Sequence, residues 1–158
     1  MIEITFTIKG NQDDPLGNPM PKIRKTHRQA WTPAVRKYMR WKEHVQKELI
    51  RAIEITNKEA ARDAARNIAA VGKPLVLGDR RAYMDIVISW KNGTHGDPEN
   101  IFGSIADALF YNDKELYGSF DPEDDTGITS GKGQVRCIIR VSDPQPKRPR
   151  RKLKTISE

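Results

Sequence analysis

Three stretches of this chain place an apolar residue at every second position. Ile2, Ile4, Phe6 and Ile8 alternate with Glu3, Thr5 and Thr7. Met84, Ile86, Ile88 and Trp90 alternate with Tyr83, Asp85, Val87 and Ser89, and Val135, Cys137, Ile139 and Val141 repeat the spacing. Period two puts alternate side chains on opposite faces of extended backbone, so each stretch predicts a half-buried strand. Residues 116 to 120 predict a further short strand. The long intervals between strands carry helical patterns. Thr32 can cap a helix with Pro33 at its first position, and Val35, Tyr38, Met39, Val45, Leu49 and Ile53 supply its apolar stripe. Thr56 and Glu59 fit a capping box, so residues 33 to 71 form either one helix or two, ended by Gly72 and Pro74. The expected fold is a single α+β domain with a small mixed β-sheet flanked by helices.

The chain has 158 residues, enough for one domain with a real core and no need of disulfides. Its one cysteine, Cys137, lies in a strand pattern and reads as a buried core thiol. One cysteine and scattered histidines build no zinc site. No apolar run is long enough to span a membrane, and the first residues read as a strand rather than a signal peptide. Asn92-Gly93-Thr94 reads as a turn. A cytoplasmic, reducing compartment is expected.

The net charge is +7, unevenly spread. Residues 143–158 hold six basic and two acidic residues, so they carry four of those seven charges. They are too rich in Pro, Lys and Arg to fold alone and read as a basic disordered tail behind a domain of residues 1–142. The tail either grips DNA without sequence preference or keeps the protein dispersed.

Against this basic background, acids gather between residues 95 and 113. On a helix at ~100° per residue, Ile101, Phe102, Ile105, Ala108 and Leu109 fall on one side. Glu99, Asn100, Gly103, Ser104 and Asp107 fall on the other, with Asp97 at the N-cap and Pro98 behind it. Acids inside a basic protein suggest metal-assisted chemistry on a polyanion, the acids holding Mg²⁺ and the basic surface holding phosphates. Each residue also has a plain structural role. Asp97 can simply cap, Glu99 suits the helix dipole, and Asp107 can be a solvated face residue. Convergence favours the site, because the strand before it delivers Asp97 and Glu99 to the carboxyl end of a sheet. His95 is either a phosphate contact or general base, or an ordinary loop residue. Gly127 to Gly133 only imitates a phosphate-binding loop, since Thr126 and Gly133 stand where Gly and Ser/Thr are needed.

Read in order, these motifs resemble the RusA-like Holliday junction resolvases. That family carries Asp-x-Asp-Asn, then a Lys, then Asp-Ala-Leu, then an acidic pair after an aromatic turn. Here Asp97-Pro98-Glu99-Asn100, Asp107-Ala108-Leu109 and Tyr111-Asn112-Asp113 stand in those places. Upstream, Gly17-Asn18-Pro19-Met20-Pro21-Lys22-Ile23-Arg24 and Trp31-Thr32-Pro33 resemble the family's Gly-x-Pro-x-Pro-Lys-x-Arg loop and Tyr-Thr-Pro helix start. The resemblance covers most of residues 1 to 142. It implies a homodimeric, Mg²⁺-dependent endonuclease for four-way DNA junctions in recombination and repair, Mn²⁺ being a possible substitute. Asp97, Glu99 and Asp113 would ligate the metal and carry catalysis. Asn100, Asp107 and Lys114 would support them, and Lys22, Arg24, Arg36, Arg40 and Lys132 would contact DNA. The sequence departs from the family at Gly103, where the family has a lysine. Either Lys22, Lys114 or Lys132 supplies that charge, or cleavage is weakened or lost. The alternatives are a branched-DNA-binding protein that no longer cuts and a nuclease for another branched or single-stranded substrate.

Overall fold

The computed structural model describes residues 2–23, 32–55, 79–91, 97–110, 116–120, 131–144 and 146. Their order is β1 (Ile2–Lys9), α1 (Pro33–Glu54), β2 (Ala82–Ser89), α2 (Pro98–Leu109), β3 (Leu116–Phe120) and β4 (Gln134–Val141). The strands form one mixed sheet in the order β1-β4-β2-β3. β4 pairs antiparallel with both β1 and β2, and β2 pairs parallel with β3. The expected α+β architecture is what is found. The strand and α2 expectations hold to within a residue or two. Whether a second helix follows α1, and what the tail does, lie outside the described residues.

Register aligns the alternating residues into rows across the three strands β1, β4 and β2. Ile2, Val141 and Ala82 stand abreast, as do Ile4, Ile139 and Met84. Phe6, Cys137 and Ile86 form the third row, and Ile8, Val135 and Ile88 the fourth. All twelve are buried. A one-residue slip would turn every one of them to the other face, so the pairing is strongly specified. Cys137 is fully buried, and that burial pushes its thiol pKa up.

Both helices cover this one face. α1 packs on β1 and α2, and α2 also meets β3. On the opposite face Glu3, Thr5, Tyr83, Val87 and Arg136 are exposed. There Arg140 on β4 joins Glu3 on β1 at 2.9 Å and Asp85 on β2 at 3.0 Å. At this exposure such pairs add little to stability. No helix among the described residues is long and apolar enough to cross a membrane.

The buried stripe of α1 is Val35, Tyr38, Trp41, Val45, Leu49, Ala52 and Ile53. Met39, expected in it, is 48% exposed, and Trp41 takes its place. The stripe steps 35, 38, 41, 45, which leaves position 39 about 100° off its centre line. Ser104, expected on the polar side of α2, is fully buried. It accepts the Trp41 indole N–H at 3.1 Å and donates to the Ile101 carbonyl at 2.9 Å. The α1–α2 contact is therefore polar at a point where helical periodicity alone gives no warning.

The carboxyl ends of β1, β2 and β3 and the amino end of β4 share one sheet edge. The loop after β1 is laced to that edge. Gly10 donates its N–H to the Gly133 carbonyl (3.1 Å), Gly133 to the Leu16 carbonyl (3.0 Å), and Lys91 to Asn18 Oδ1 (2.8 Å). Met20 and Ile23 anchor the loop on the core. Gly17 takes φ 70°, and a Cβ there would fall 2.7 Å from Lys132 Cβ. At Gly133 a Cβ would come within 2.8 Å of Asn18 Cα. Since backbone cannot swing aside, Gly133→Ala should destabilise the fold by about 1–3 kcal/mol. Equilibrium urea unfolding checks this, with a lowered midpoint at unchanged slope as the expected result.

Candidate nucleic-acid and metal site

Asp97 begins α2 in extended conformation (φ −74°, ψ 117°), and its Oδ1 accepts the Glu99 N–H at 3.0 Å. Pro98 follows with its φ already suited to a helix and no N–H to satisfy. The Asn100 side-chain amide donates to Asp97 Oδ2 at 3.4 Å. Asp97, Glu99 and Asn100 are all exposed at the start of α2, an open corner where the Asp97 carboxylate and the Asn100 amide are in contact. The capping role expected of Asp97 is real, and it fixes the direction of the carboxylate. Each carboxylate oxygen retains a second lone pair beyond the bond it accepts.

Carboxylate oxygens are the donors a hard divalent cation prefers. Among the described residues no group of three or more His, Cys, Asp or Glu side chains gathers tightly enough to hold a metal. Asp97 and Glu99 are the described members of the expected ligand set. Asp113, the third, lies outside the described residues, as do Lys114, Arg24 and His95. The donor types fit Mg²⁺, with Asp97 and Glu99 as the residues that would hold it.

Asp107 occupies a different place. Ten residues after the cap at ~1.5 Å rise, it stands about 15 Å from Asp97 along the helix, too far to share one ion. Its Oδ2 accepts the Tyr38 hydroxyl at 2.7 Å and pairs with Lys42 Nζ at 3.4 Å. The Lys42 ammonium also lies 5.7 Å from the Tyr38 ring centroid. Burial pushes the Asp107 carboxyl up. The Tyr38 hydrogen bond, Lys42 and Lys22 together outweigh that and hold it below its ordinary value. The Tyr38 hydroxyl is pushed up, by burial first and by Asp107 second. Asp107 thus clamps α2 to α1. Tyr38 and Lys42, neither anticipated, are its partners. They are one helical turn apart, but nothing in the sequence says which distant acid they meet.

The expected DNA contacts divide. Lys22 donates its backbone N–H to the Asn100 carbonyl at 3.0 Å, so the loop after β1 reaches the first turn of α2. Its exposed side chain starts there. Lys132 is also exposed, its stem lying across Gly10 and Gly17 at the same sheet edge. Arg36 is exposed on the first turn of α1. Arg40 turns both arms of its guanidinium to Asp13, Nε at 2.9 Å and Nη2 at 2.8 Å. That contact holds the Asp13 carboxyl below its usual range and raises the guanidinium. A phosphate on Arg40 has to compete with this fork-to-fork pair. Asn18 was not singled out by the sequence. Buried at the turn, it binds the Lys91 N–H and holds the end of β2 to the loop that carries Lys22.

Because the folded Asp107 pKa is depressed, its contribution to stability is present above the ordinary carboxyl pKa of about 4 and is lost as pH falls through the folded value. Tyr38→Phe should therefore cost about 1 kcal/mol at pH 7, modest for a charged acceptor because the Asp107 side chain is 36% exposed. The difference between wild type and variant should shrink as acid protonates Asp107. Denaturation series from pH 7 down to the acid limit of folding measure both.

No known protein-family model matches the chain, and no curated protein is detectably similar to it.

Proposed function

We propose that the chain is a Mg²⁺-dependent, structure-selective endodeoxyribonuclease that resolves four-way DNA junctions, as its resemblance to the RusA-like family implies. One observation carries this reading furthest. The exposed Asp97–Glu99–Asn100 corner is joined directly to the lysine-bearing loop through the Lys22 N–H and Asn100 carbonyl. Acids for a cation and a base for phosphate thus arise from one hydrogen-bonded junction at one sheet edge.

Bound Mg²⁺ would neutralise charge developing on the scissile phosphate and lower the pKa of a water for attack on phosphorus. Asp97 and Glu99 would hold it, with Asp113 completing the set. Asn100 keeps the Asp97 carboxylate oriented. Lys22, Lys132 and Arg36, with Arg24 two positions after Lys22 in the sequence, draw the strand in by charge. A homodimer would offer one such corner to each of two strands of a junction. The second reading is a branched-DNA-binding protein that no longer cuts, and Gly103, where the family has a lysine, favours it.

Asp97→Asn separates fold from chemistry, because Asn caps a helix about as well as Asp. The helix start should survive while the charge that holds the cation goes. Labelled four-way junctions and duplex controls, with Mg²⁺ or with EDTA, provide the assay. Wild type should nick junctions only with the metal. Asp97→Asn should lose cleavage yet bind junctions as tightly or tighter. Cleavage by Asp97→Asn at the wild-type rate removes Asp97 from the metal set, and a wild type that binds but never nicks selects the second reading.

A further inference from the structure

α2 and its cap carry Asp97, Glu99 and Asp107 but no basic residue. Between Glu99 and Asp107, on the stripe of α2 that they share at four-residue spacing, stands Gly103, the poorest residue for a helix interior after proline. The side chain that lies against it is the lysine of another segment. A Cβ added at Gly103 would lie 3.4 Å from Lys22 Cδ and 3.7 Å from Lys22 Cβ. The Lys22 stem therefore runs along the helix surface just where a side chain at position 103 would begin. Its root is fixed by the Lys22 N–H bond to the Asn100 carbonyl, one turn earlier. Its charge reaches far enough along the stripe to act on Asp107.

We infer that Lys22, laid across Gly103, is the cation that meets a DNA phosphate on the acidic face of α2, and that positions 22 and 103 act as one unit. This inference rests on the nuclease reading for its substrate. Lys42, the other ammonium beside Asp107, comes from α1, and its side chain is only 19% exposed. Lys22 is exposed and lies nearer the Asp97 corner. A phosphate bound by cations there gains from two placements that a lone helix lysine lacks. The loop root is hydrogen-bonded and the stem rests on the helix surface at Gly103, so less freedom is lost on binding. A side chain longer than alanine at 103 would share that surface with the Lys22 stem.

The test moves the charge between the two segments. Lys22→Gln keeps a stem over Gly103 and removes the ammonium. Lys22→Ala/Gly103→Lys removes the loop ammonium and supplies one from the helix at the same place. On four-way junctions with Mg²⁺, Lys22→Gln should cut about 10²–10³ more slowly, the scale of one lost electrostatic donor. Its log K for junction binding in EDTA should depend on log salt with a slope smaller by about 0.9. Lys22→Arg and the double variant should recover most of both. Thermal melts check that each variant is folded. If the double variant does not fold, the Gln and Arg variants decide. Wild-type cleavage and slope in Lys22→Gln overturn the inference. So does a folded double variant as slow as Lys22→Gln. A wild type that binds junctions without cutting them defeats the nuclease reading alone, and the salt slope of Lys22→Gln still judges Lys22. Wild type that neither binds nor cuts defeats both.

Discussion

The sheet is held together by β4. The last of the described strands lies between β1 and β2, so its backbone groups are spent on both sides. Without β4, β1 has no described strand partner. β2 would keep only the short parallel pairing with β3. Ile2 pairs with Val141, so closing the sheet means bringing nearly the whole chain into one loop. Such non-local pairing is slow to form. Once it forms, the two helices have a single apolar face on which to settle.

How they settle depends on polar groups as much as on apolar ones. Trp41 to Ser104 and Tyr38 to Asp107 cross the α1–α2 boundary roughly a turn apart along each helix. Gln46 adds a third link by donating its side-chain amide to the Ala108 carbonyl at 2.8 Å. Apolar surfaces alone would tolerate a sliding contact. Three directional bonds at different heights do not, because a shift of α2 along α1 breaks all three and leaves the shielded partners unsatisfied. The acidic corner at the start of α2 inherits that rigidity, and a site that must place charge to within a fraction of an ångström needs it.

Much of the architecture was legible in the residues. Period-two spacing located β1, β2 and β4, and a short run located β3. Thr32-Pro33 and Asp97-Pro98 marked both helix starts, since a capping side chain ahead of proline is a local signal. Periodicity names a face but not the partner on it, and that limit explains the failures. Met39 is a different case, because the stripe through Val35, Tyr38, Trp41 and Val45 already leaves it about 100° off centre. Asp107 matched a metal-site pattern by position, yet its partners, Tyr38 and Lys42, come from a different helix. The order of strands was likewise unreadable, because identical alternation suits a centre or an edge. Of the site, Asp97, Asn100 and the Lys22 loop meet in space. Their meeting depends on a loop-to-helix hydrogen bond that no spacing rule encodes.

The placement of Cys137 has a practical consequence. Its sulfur sits at the middle of the central strand, abreast of Phe6 and Ile86, in a chain with no other thiol. A thiol-reactive label cannot touch it, and the thiolate it needs is disfavoured, until β4 parts from the sheet. The protein therefore carries its own single-site clock for opening of the sheet. The labelling rate in native buffer reports how often the central strand is released. A ligand on the α2 corner that slows labelling would reveal that the corner and the interior strand open as one unit.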